Sequence, residues 1–320
     1  MNKKLILKIM LLLIFILAIA IILCISKKID LKNFSKSFIS DEKKYLYIDI
    51  EKFKPFNKGN IIEKYNTDFK ISNNLPNIEA ASAFYILGSY LVESIYNEEE
   101  YNDNLKLVST SEAYIDLLDE KADFIIATKP SENQEELIKK SGKKLKFIKI
   151  TDENLIFYTN IKNTVNNLNI EDIREIYTKN NSWKKYGYID ANICTYQLEK
   201  NNGSQTCFES IVKENKIDQN HKEIRYMEEI INSVGKDQYG IGYAFNSFYS
   251  IMYSSGNTKK ISINGTNSKS SEYPLKYDVY LVYDEDNVKN ENITKIEEWL
   301  DSEDGKKFVE FYENKTKTWY

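Results

Sequence analysis

From Leu75 onward, short apolar runs alternate with stretches in which apolar residues recur every three to four positions. The runs predict buried strands, and the periodic stretches predict amphipathic helices. The predicted strands are 105–108, 122–127, 144–150, 155–159, 192–196, 223–226, 240–245 and 277–283. The predicted helices are 82–96, 111–119, 131–140, 170–178, 204–213, 227–234, 290–300 and 303–314. This alternation predicts α/β layers around mainly parallel sheets.

The predicted helix starts carry small polar side chains. Ser82 is expected to cap the first helix, and the pairs Ser109/Glu112 and Ser131/Gln134 have the spacing of capping boxes. The loop 201–206 opens the helix at 204. Free backbone N–H groups at a helix start lie at the positive end of the helix dipole and can hold an anion. A loop of this composition also commonly serves only as an N-cap, with Ser204 or Thr206 satisfying its own helix.

The N-terminus has the pattern of a membrane anchor. Three lysines precede an apolar run from Ile9 to Ile25, and two more follow it. Such a run is long enough to span a bilayer, and the positive-inside rule leaves residues 29–320 outside the cell membrane. We expect an uncleaved signal anchor at 1–28 rather than a signal peptide, because the cleavage-like Ala18-Ile19-Ala20 lies inside the apolar run. Leu23 before Cys24 argues against a lipoprotein.

Residues 29–74 are charged, rich in asparagine and weakly periodic, with one strand-like run at 45–50. They are predicted to form a stalk and lead-in segment. The formal charge of −4 becomes −9 once the five N-terminal lysines are set aside. This acidity argues against nucleic acid or an anionic lipid surface as the main partner.

The residues that carry most catalytic chemistry are scarce. His221 is the single histidine, and Cys194 and Cys207 are the cysteines beyond Cys24, expected as thiols rather than a disulfide. Nucleophile elbows, phosphate loops and dinucleotide turns are absent from the sequence. We therefore expect a protein that is not an enzyme and holds neither a metal nor a cofactor. The only arginines, Arg174 and Arg225, limit where a guanidinium clamp could come from.

Four segments in order resemble the phosphate-type solute-binding proteins of bacterial ABC importers, in the type II periplasmic-binding-protein superfamily. They are Leu75–Ser82; Thr110–Tyr114 with Ala122–Ala127; Ile173–Tyr177 with Trp183; and Tyr196-Gln197 through Gly203-Ser204-Gln205-Thr206, followed by Gly240–Phe245.

The resemblance implies two α/β lobes joined by crossover strands near 158–160 and 242–245. Lobe 1 would comprise residues 75–160 and 242–320, and lobe 2 residues 161–241. The implied partners are a small anionic solute, an ABC permease and the membrane, reached through the N-terminal helix. The implied ligand-binding residues lie at helix starts in both lobes: Ser82, Thr110, Ser111, Thr128, Gly203, Ser204, Gln205 and Thr206.

Several positions depart from the family pattern. Glu79 and Ala80 stand where the family usually has Asp and Gly, Leu198 stands where it commonly has Arg, and Asn202 replaces a Ser. Loss of a bidentate arginine weakens anion binding by roughly ten- to a hundredfold. We therefore expect weaker phosphate binding than in arginine-bearing relatives. The alternative is a surface sensor or interaction module that no longer binds phosphate.

Overall fold

A computed structural model describes residues 49–317 except 180, 214–216, 218–220 and 253–255. The expected anchor at 1–28, Cys24 and most of the strand-like run at 45–50 lie outside these ranges. Of that run, only Asp49 and Ile50 are described, and Ile50 begins a 3₁₀ turn, Ile50–Lys52. Within the described part of the chain, every helix is too short or too polar to cross a membrane.

The strands are β1 (Ile78–Ala81), β2 (Leu105–Val108), β3 (Phe124–Ala127), β4 (Leu145–Asn160), β5 (Asn167–Leu168), β6 (Cys194–Leu198), β7 (Lys222–Ile224), β8 (Gly240–Phe245), β9 (Thr258–Lys260), β10 (Ser262–Ile263) and β11 (Lys276–Asp284). They form a mixed sheet in the spatial order β2-β1-β3-β11-β4-β8-β6-β7, with β9 added beside β4. A separate pair is formed by β5 and β10.

The helices follow the predicted periodic stretches to within a few residues. They are α1 (Tyr85–Ile95), α2 (Thr110–Leu118), α3 (Glu132–Ser141), α4 (Ile170–Thr178), α5 (Gly203–Val212), α6 (Met227–Lys236), α7 (Glu291–Asp301) and α8 (Glu303–Lys317). The capping boxes predicted at Ser109/Glu112 and Ser131/Gln134 are both formed, at α2 and α3. They confirm these two helix starts.

Strand β4 belongs to two parts of the sheet. Residues 145–154 pair with β11, and residues 155–159 pair with β8. We call β2, β1, β3, β11 and residues 145–154 the first half-sheet. The second half-sheet comprises residues 155–160 with β8, β6, β7 and β9. The place where β4 changes partners is called the junction.

Two sequence predictions about the sheet are wrong. The sheet is mixed rather than mainly parallel, because β11 runs antiparallel to β3 and β4, and β4 runs antiparallel to β8. The separate strands predicted at 144–150 and 155–159 are one strand. Residues 151–154 interrupt the apolar pattern, but their backbone still pairs with β11.

The first helix also begins differently from the prediction. Ser82 opens a 3₁₀ turn, Ser82–Phe84, that leads into α1, and the residue preceding this turn is Ala81. Ala81 has no side-chain oxygen for a cap. Ser82 is therefore not the N-cap.

The expected division into lobe 1 (75–160 and 242–320) and lobe 2 (161–241) stays a prediction. One short strand of 242–320, β10, pairs with β5 in the part 161–241. β9 pairs with residues 158–160 of β4, at the end of the first part of the predicted lobe 1.

Residues 49–74, the described part of the expected stalk and lead-in, pack against the first half-sheet's helices. Phe53, Ile62 and Ile71 are buried there. The Ile71 N–H donates to the carbonyl of Ile95 at 2.8 Å. Two residues before Ile71, the ring of Phe69 stacks on Trp299 of α7 with centroids 5.3 Å apart. The apolar positions of this segment thus join the core of the body.

Candidate functional site

The N-terminus of α5 is capped by Asn202, which corrects the expectation of a Ser204 or Thr206 cap. The Asn202 side-chain oxygen accepts the Ser204 N–H at 3.1 Å and the Ser204 hydroxyl at 2.9 Å. The Thr206 hydroxyl donates to the carbonyl of Asn202 at 3.1 Å. The hydroxyl groups of Ser204 and Thr206 are therefore used within the turn that begins their own helix.

The first residue of α5 contacts the first residue of α2. The Gly203 N–H donates to Thr110 Oγ1 at 3.1 Å. A Cβ atom placed on Gly203 would lie 2.9 Å from Thr110 Oγ1 and 2.9 Å from Thr128 Oγ1. Only glycine allows this approach, since real Cβ atoms do not come so close to another heavy atom. The two helix starts and the end of β3 thus meet at one point, which we call the Thr–Gly site (Thr110, Thr128 and Gly203).

Thr128 directly follows β3, and only 2% of its surface is exposed. Within the part of the chain that the structure describes, its Oγ1 is buried without a nitrogen or oxygen hydrogen-bond partner. It interacts with the Cys207 thiol of α5. Burial raises the pKa of that thiol far above its usual range, with the Thr128 hydroxyl opposing the shift. A buried hydroxyl without a strong partner costs free energy unless another group satisfies it.

Apolar rings form the wall of the Thr–Gly site. Phe245 Cε2 lies 3.7 Å from the same Cβ position on Gly203. Its ring contacts Phe84, with centroids 5.2 Å apart. Phe84 belongs to the 3₁₀ turn that Ser82 opens. The turn containing Ser82 therefore approaches the α5 N-terminus through this pair of rings. Ser111 is the second residue of α2 and is half-buried.

Gln205 is directed into the second half-sheet. Its Oε1 accepts a hydrogen bond from the Tyr243 hydroxyl, and its Nε2 donates to Glu209 Oε1 at 3.0 Å. A longer contact of 3.4 Å joins the same nitrogen to Gln197 Oε1. These bonds fix α5 on β6 and β8. Of the eight sequence-predicted residues, the structure brings together Thr110, Thr128 and Gly203, whereas Ser204, Gln205 and Thr206 hold the local structure of α5.

Three hydrogen bonds near this site were missed by sequence reasoning. Asn201 has a positive φ of 68°, and its Oδ1 accepts the Ser131 hydroxyl at 2.7 Å. The carbonyl of Asn201 accepts Gln134 Nε2 at 3.2 Å. Tyr277 of β11 donates its hydroxyl to the carbonyl of Cys207 at 2.9 Å. An asparagine in a turn is a signal for a positive φ, but no local pattern marks the partners.

The charged and titratable residues singled out in the sequence have partners other than the three residues of the Thr–Gly site. Glu79 is buried in β1, and burial together with the nearby charge of Asp116 of α2 raises its pKa to about 7. Arg174 donates to Glu171 at 2.8 Å and to the carbonyl of Ile211 at 2.7 Å. Arg225 is exposed above the Tyr226 ring. His221 lies 3.9 Å from Glu223. Both arginines thus have other partners.

Leu198 is buried, and the two cysteines are thiols, as expected. Leu198 is 2% exposed at the end of β6, and its N–H donates to the Tyr243 hydroxyl at 3.2 Å. Cys194 and Cys207 are free thiols, half-buried and buried respectively.

A family model described as a PBP superfamily domain matches residues 77–313. The chain belongs to this superfamily. The match covers both half-sheets and most of α8, and it begins after the segment that packs against the first half-sheet. No match was found among curated proteins.

Solved structures share the fold at low sequence identity. One is a protein from Clostridium perfringens described as a phosphate ABC transporter substrate-binding protein with bound phosphate; it is 18% identical, with a TM-score of 0.56 over 73% of this chain and 96% of that chain. Another is an ABC-type phosphate transport receptor from Vibrio cholerae, 17% identical, with a TM-score of 0.52 over 73% and 97%. A hydrogen-peroxide-bound OxyR variant from Corynebacterium glutamicum is 12% identical, with a TM-score of 0.50 over 89% and 74%. The fold therefore serves proteins of different function.

Proposed function

We propose that this chain is an extracytoplasmic solute-binding protein of an ABC importer, anchored by its N-terminal apolar segment, which holds a small oxyanion between two lobes. The similarity to phosphate transport receptors supports the role. The observation that carries the site is the buried Thr128 hydroxyl, which lies next to Gly203 at the N-terminus of α5. Among the described residues it has no nitrogen or oxygen hydrogen-bond partner.

The proposed ligand contacts are neutral donors at helix starts. The hydroxyl groups of Thr110 and Thr128 lie beside the first N–H group of α5, and Phe84 and Phe245 reduce access of water. Donors of this kind hold anions at helix N-termini, and exclusion of water strengthens each bond. The Thr110–Gly203 bond would have to lengthen to admit a ligand between the lobes, which is compatible with hinge motion.

One set of contacts favours the alternative, a binding-protein-like sensor that no longer binds phosphate. The Gly203 N–H already bonds Thr110, and the Ser204 hydroxyl already bonds Asn202. An anion would have to compete with both bonds. Without an arginine at position 198, less free energy offsets the desolvation of a doubly charged ligand.

Calorimetric titration of the full-length protein with phosphate, sulfate and methylphosphonate tests the proposal. We expect saturable binding of at least one of these anions to the wild type. Gly203→Ala should abolish it, because the added Cβ would meet both threonine hydroxyls at 2.9 Å. Gly256→Ala is the matched control, since its Cβ would enter open space. Absence of binding in the wild type would favour the sensor, and equal binding in the two variants would mean that the anion does not bind at the Thr–Gly site.

A further inference from the structure

Three passages of the chain meet at the junction. Within β4, Asn154 is the last residue that pairs with β11, and Leu155 is the first that pairs with β8. The last residue of β8, Phe245, pairs with Leu155. The third passage is the segment that enters β11: the carbonyl of Leu275, just before β11, accepts the Leu155 N–H at 2.9 Å. Motion of one half-sheet relative to the other would bend these passages.

A buried carboxyl group joins two of the passages. Glu153 is 7% exposed, and its Oε1 accepts the N–H of Asn154 at 2.8 Å and that of Ser247 at 3.4 Å. The Ser247 hydroxyl in turn donates to the carbonyl of Ala83 at 3.3 Å, before α1. The carboxyl group of Glu153 therefore connects β4 and the segment that leaves β8, and Ser247 extends the connection to the first half-sheet.

A lysine approaches the same place from β9. Lys260 Nζ donates to Asn246 Oδ1 at 2.7 Å and to Ser250 Oγ at 2.6 Å. Asn246 directly precedes Ser247 and is 1% exposed. We call Glu153, Asn246, Ser247 and Lys260 the junction cluster.

We propose that the junction cluster is a proton-sensitive fastener of the hinge, in which a protonated Glu153 favours closed lobes and an ionised Glu153 favours open lobes. The inference rests on the proposed function only in assuming that the two half-sheets move as lobes. It requires no ligand.

The direction of the effect follows from burial. Burial raises the pKa of Glu153 to about 7 against the four hydrogen bonds that favour its charged form. Opening the junction would admit water and return the pKa towards its ordinary value near 4.5. Protons therefore bind more tightly to the closed form, and raising the pH favours the open form.

Charged residues lie near Glu153 on β9, on α8 and on β4 itself. Burial, aided by the charge of Lys269 and opposed by the charge of Glu153, lowers the pKa of Lys260 to about 8. On the same face of β4, the Thr151 hydroxyl donates to Glu313 of α8 at 2.7 Å. Asp152 is next in sequence to Glu153 and pairs with Lys149 at 2.7 Å. Lys260 is thus the cation whose loss should matter most for Glu153.

The test measures lobe separation in the full-length protein by fluorescence energy transfer, without added anion. Dyes are attached through ketone-bearing residues at the exposed positions Lys140 and Lys184, which leaves the native cysteines unchanged. Between pH 6 and pH 8 we expect the open-to-closed ratio to rise about tenfold in the wild type. Glu153→Gln keeps a hydrogen-bonding side chain without titration and should remove this rise.

Two control variants separate the junction from other buried acids. Glu79 and Glu228 also have pKa values raised to about 7 by burial, so Glu79→Gln and Glu228→Gln should keep the rise. Equal pH dependence in Glu153→Gln and wild type, or a wild type without pH dependence, would overturn the proposal. If Glu153→Gln fails to fold, Lys260→Gln decides, because loss of its positive charge should move the midpoint to higher pH; an unmoved midpoint would overturn the proposal. Phosphate binding is measured separately, so failure of either idea is distinguishable.

Discussion

The Thr–Gly site and the junction cluster both join the two half-sheets, but they use different chemistry. The Thr–Gly site brings together neutral groups, two hydroxyls and a backbone N–H. The junction cluster contains a buried carboxyl and an amine whose pKa values are both shifted towards neutrality by burial. A neutral site responds to a ligand that supplies acceptor atoms, whereas a titrating site also responds to protons. The difference suggests separate control of one motion by solute and by pH.

The largest expected difference between the two regions is in stability. Glu153→Ala removes the acceptor of one buried and one half-buried backbone N–H group and leaves a cavity, so we expect a loss of about 3 kcal/mol in the free energy of unfolding. Thr110→Val leaves one N–H without its partner and should cost about 1 kcal/mol. Urea unfolding measures both changes. A Thr110 variant as unstable as the Glu153 variant would remove the distinction.

A second prediction concerns the pH dependence of stability. The folded-state pKa of Glu153 is raised to about 7, so its stabilising contribution is present below its unfolded value near 4.5 and is lost as the pH rises through 7. We expect the free energy of unfolding to fall by roughly 1 kcal/mol per pH unit between pH 5 and pH 7 from this group. Glu153→Gln should reduce the slope in urea unfolding, and Thr110→Val should retain it. A slope unchanged by Glu153→Gln would contradict the account.

A third prediction adds a charge at Leu198, the last residue of β6. Leu198→Arg should strengthen phosphate binding about tenfold through a charge-assisted hydrogen bond. It should also lower the melting temperature, because Leu198 is only 2% exposed. Leu198→Met is the uncharged control. Titration calorimetry and thermal unfolding measure the two effects. Weaker phosphate binding in the arginine variant would mean that position 198 does not face the ligand.

Features set by neighbours in sequence were predictable at both regions. The capping boxes at Ser109/Glu112 and Ser131/Gln134 depend on residues three positions apart, and both are formed. The helix that begins at Gly203 was also recognised to within one residue. Its cap was assigned to the wrong side chain, because Asn202, Ser204 and Thr206 all offer an oxygen and only the turn geometry selects Asn202.

Features set by distant residues were not predictable. Ser131 and Asn201 are hydrogen-bonded across 70 positions of sequence, and no local pattern links them. The polar stretch 151–154 read as a break between two strands, because the sequence does not reveal that Glu153 becomes buried and bonded by Ser247. Family resemblance predicts the meeting of helix starts, but the burial of the Thr128 hydroxyl beside Gly203 is visible only in the three-dimensional arrangement.

The most direct test of the proposed site compares two buried threonines. Thr128→Val and Thr159→Val each remove a buried hydroxyl that lacks a conventional partner, so both should stabilise the fold, each by about 1 kcal/mol. Thr159 lies in β4 and pairs with Ile241 of β8, away from the Thr–Gly site. In phosphate titration of the full-length protein, we predict that Thr128→Val loses binding at least tenfold and that Thr159→Val binds like the wild type. Wild-type affinity in Thr128→Val would contradict the assignment of the Thr–Gly site.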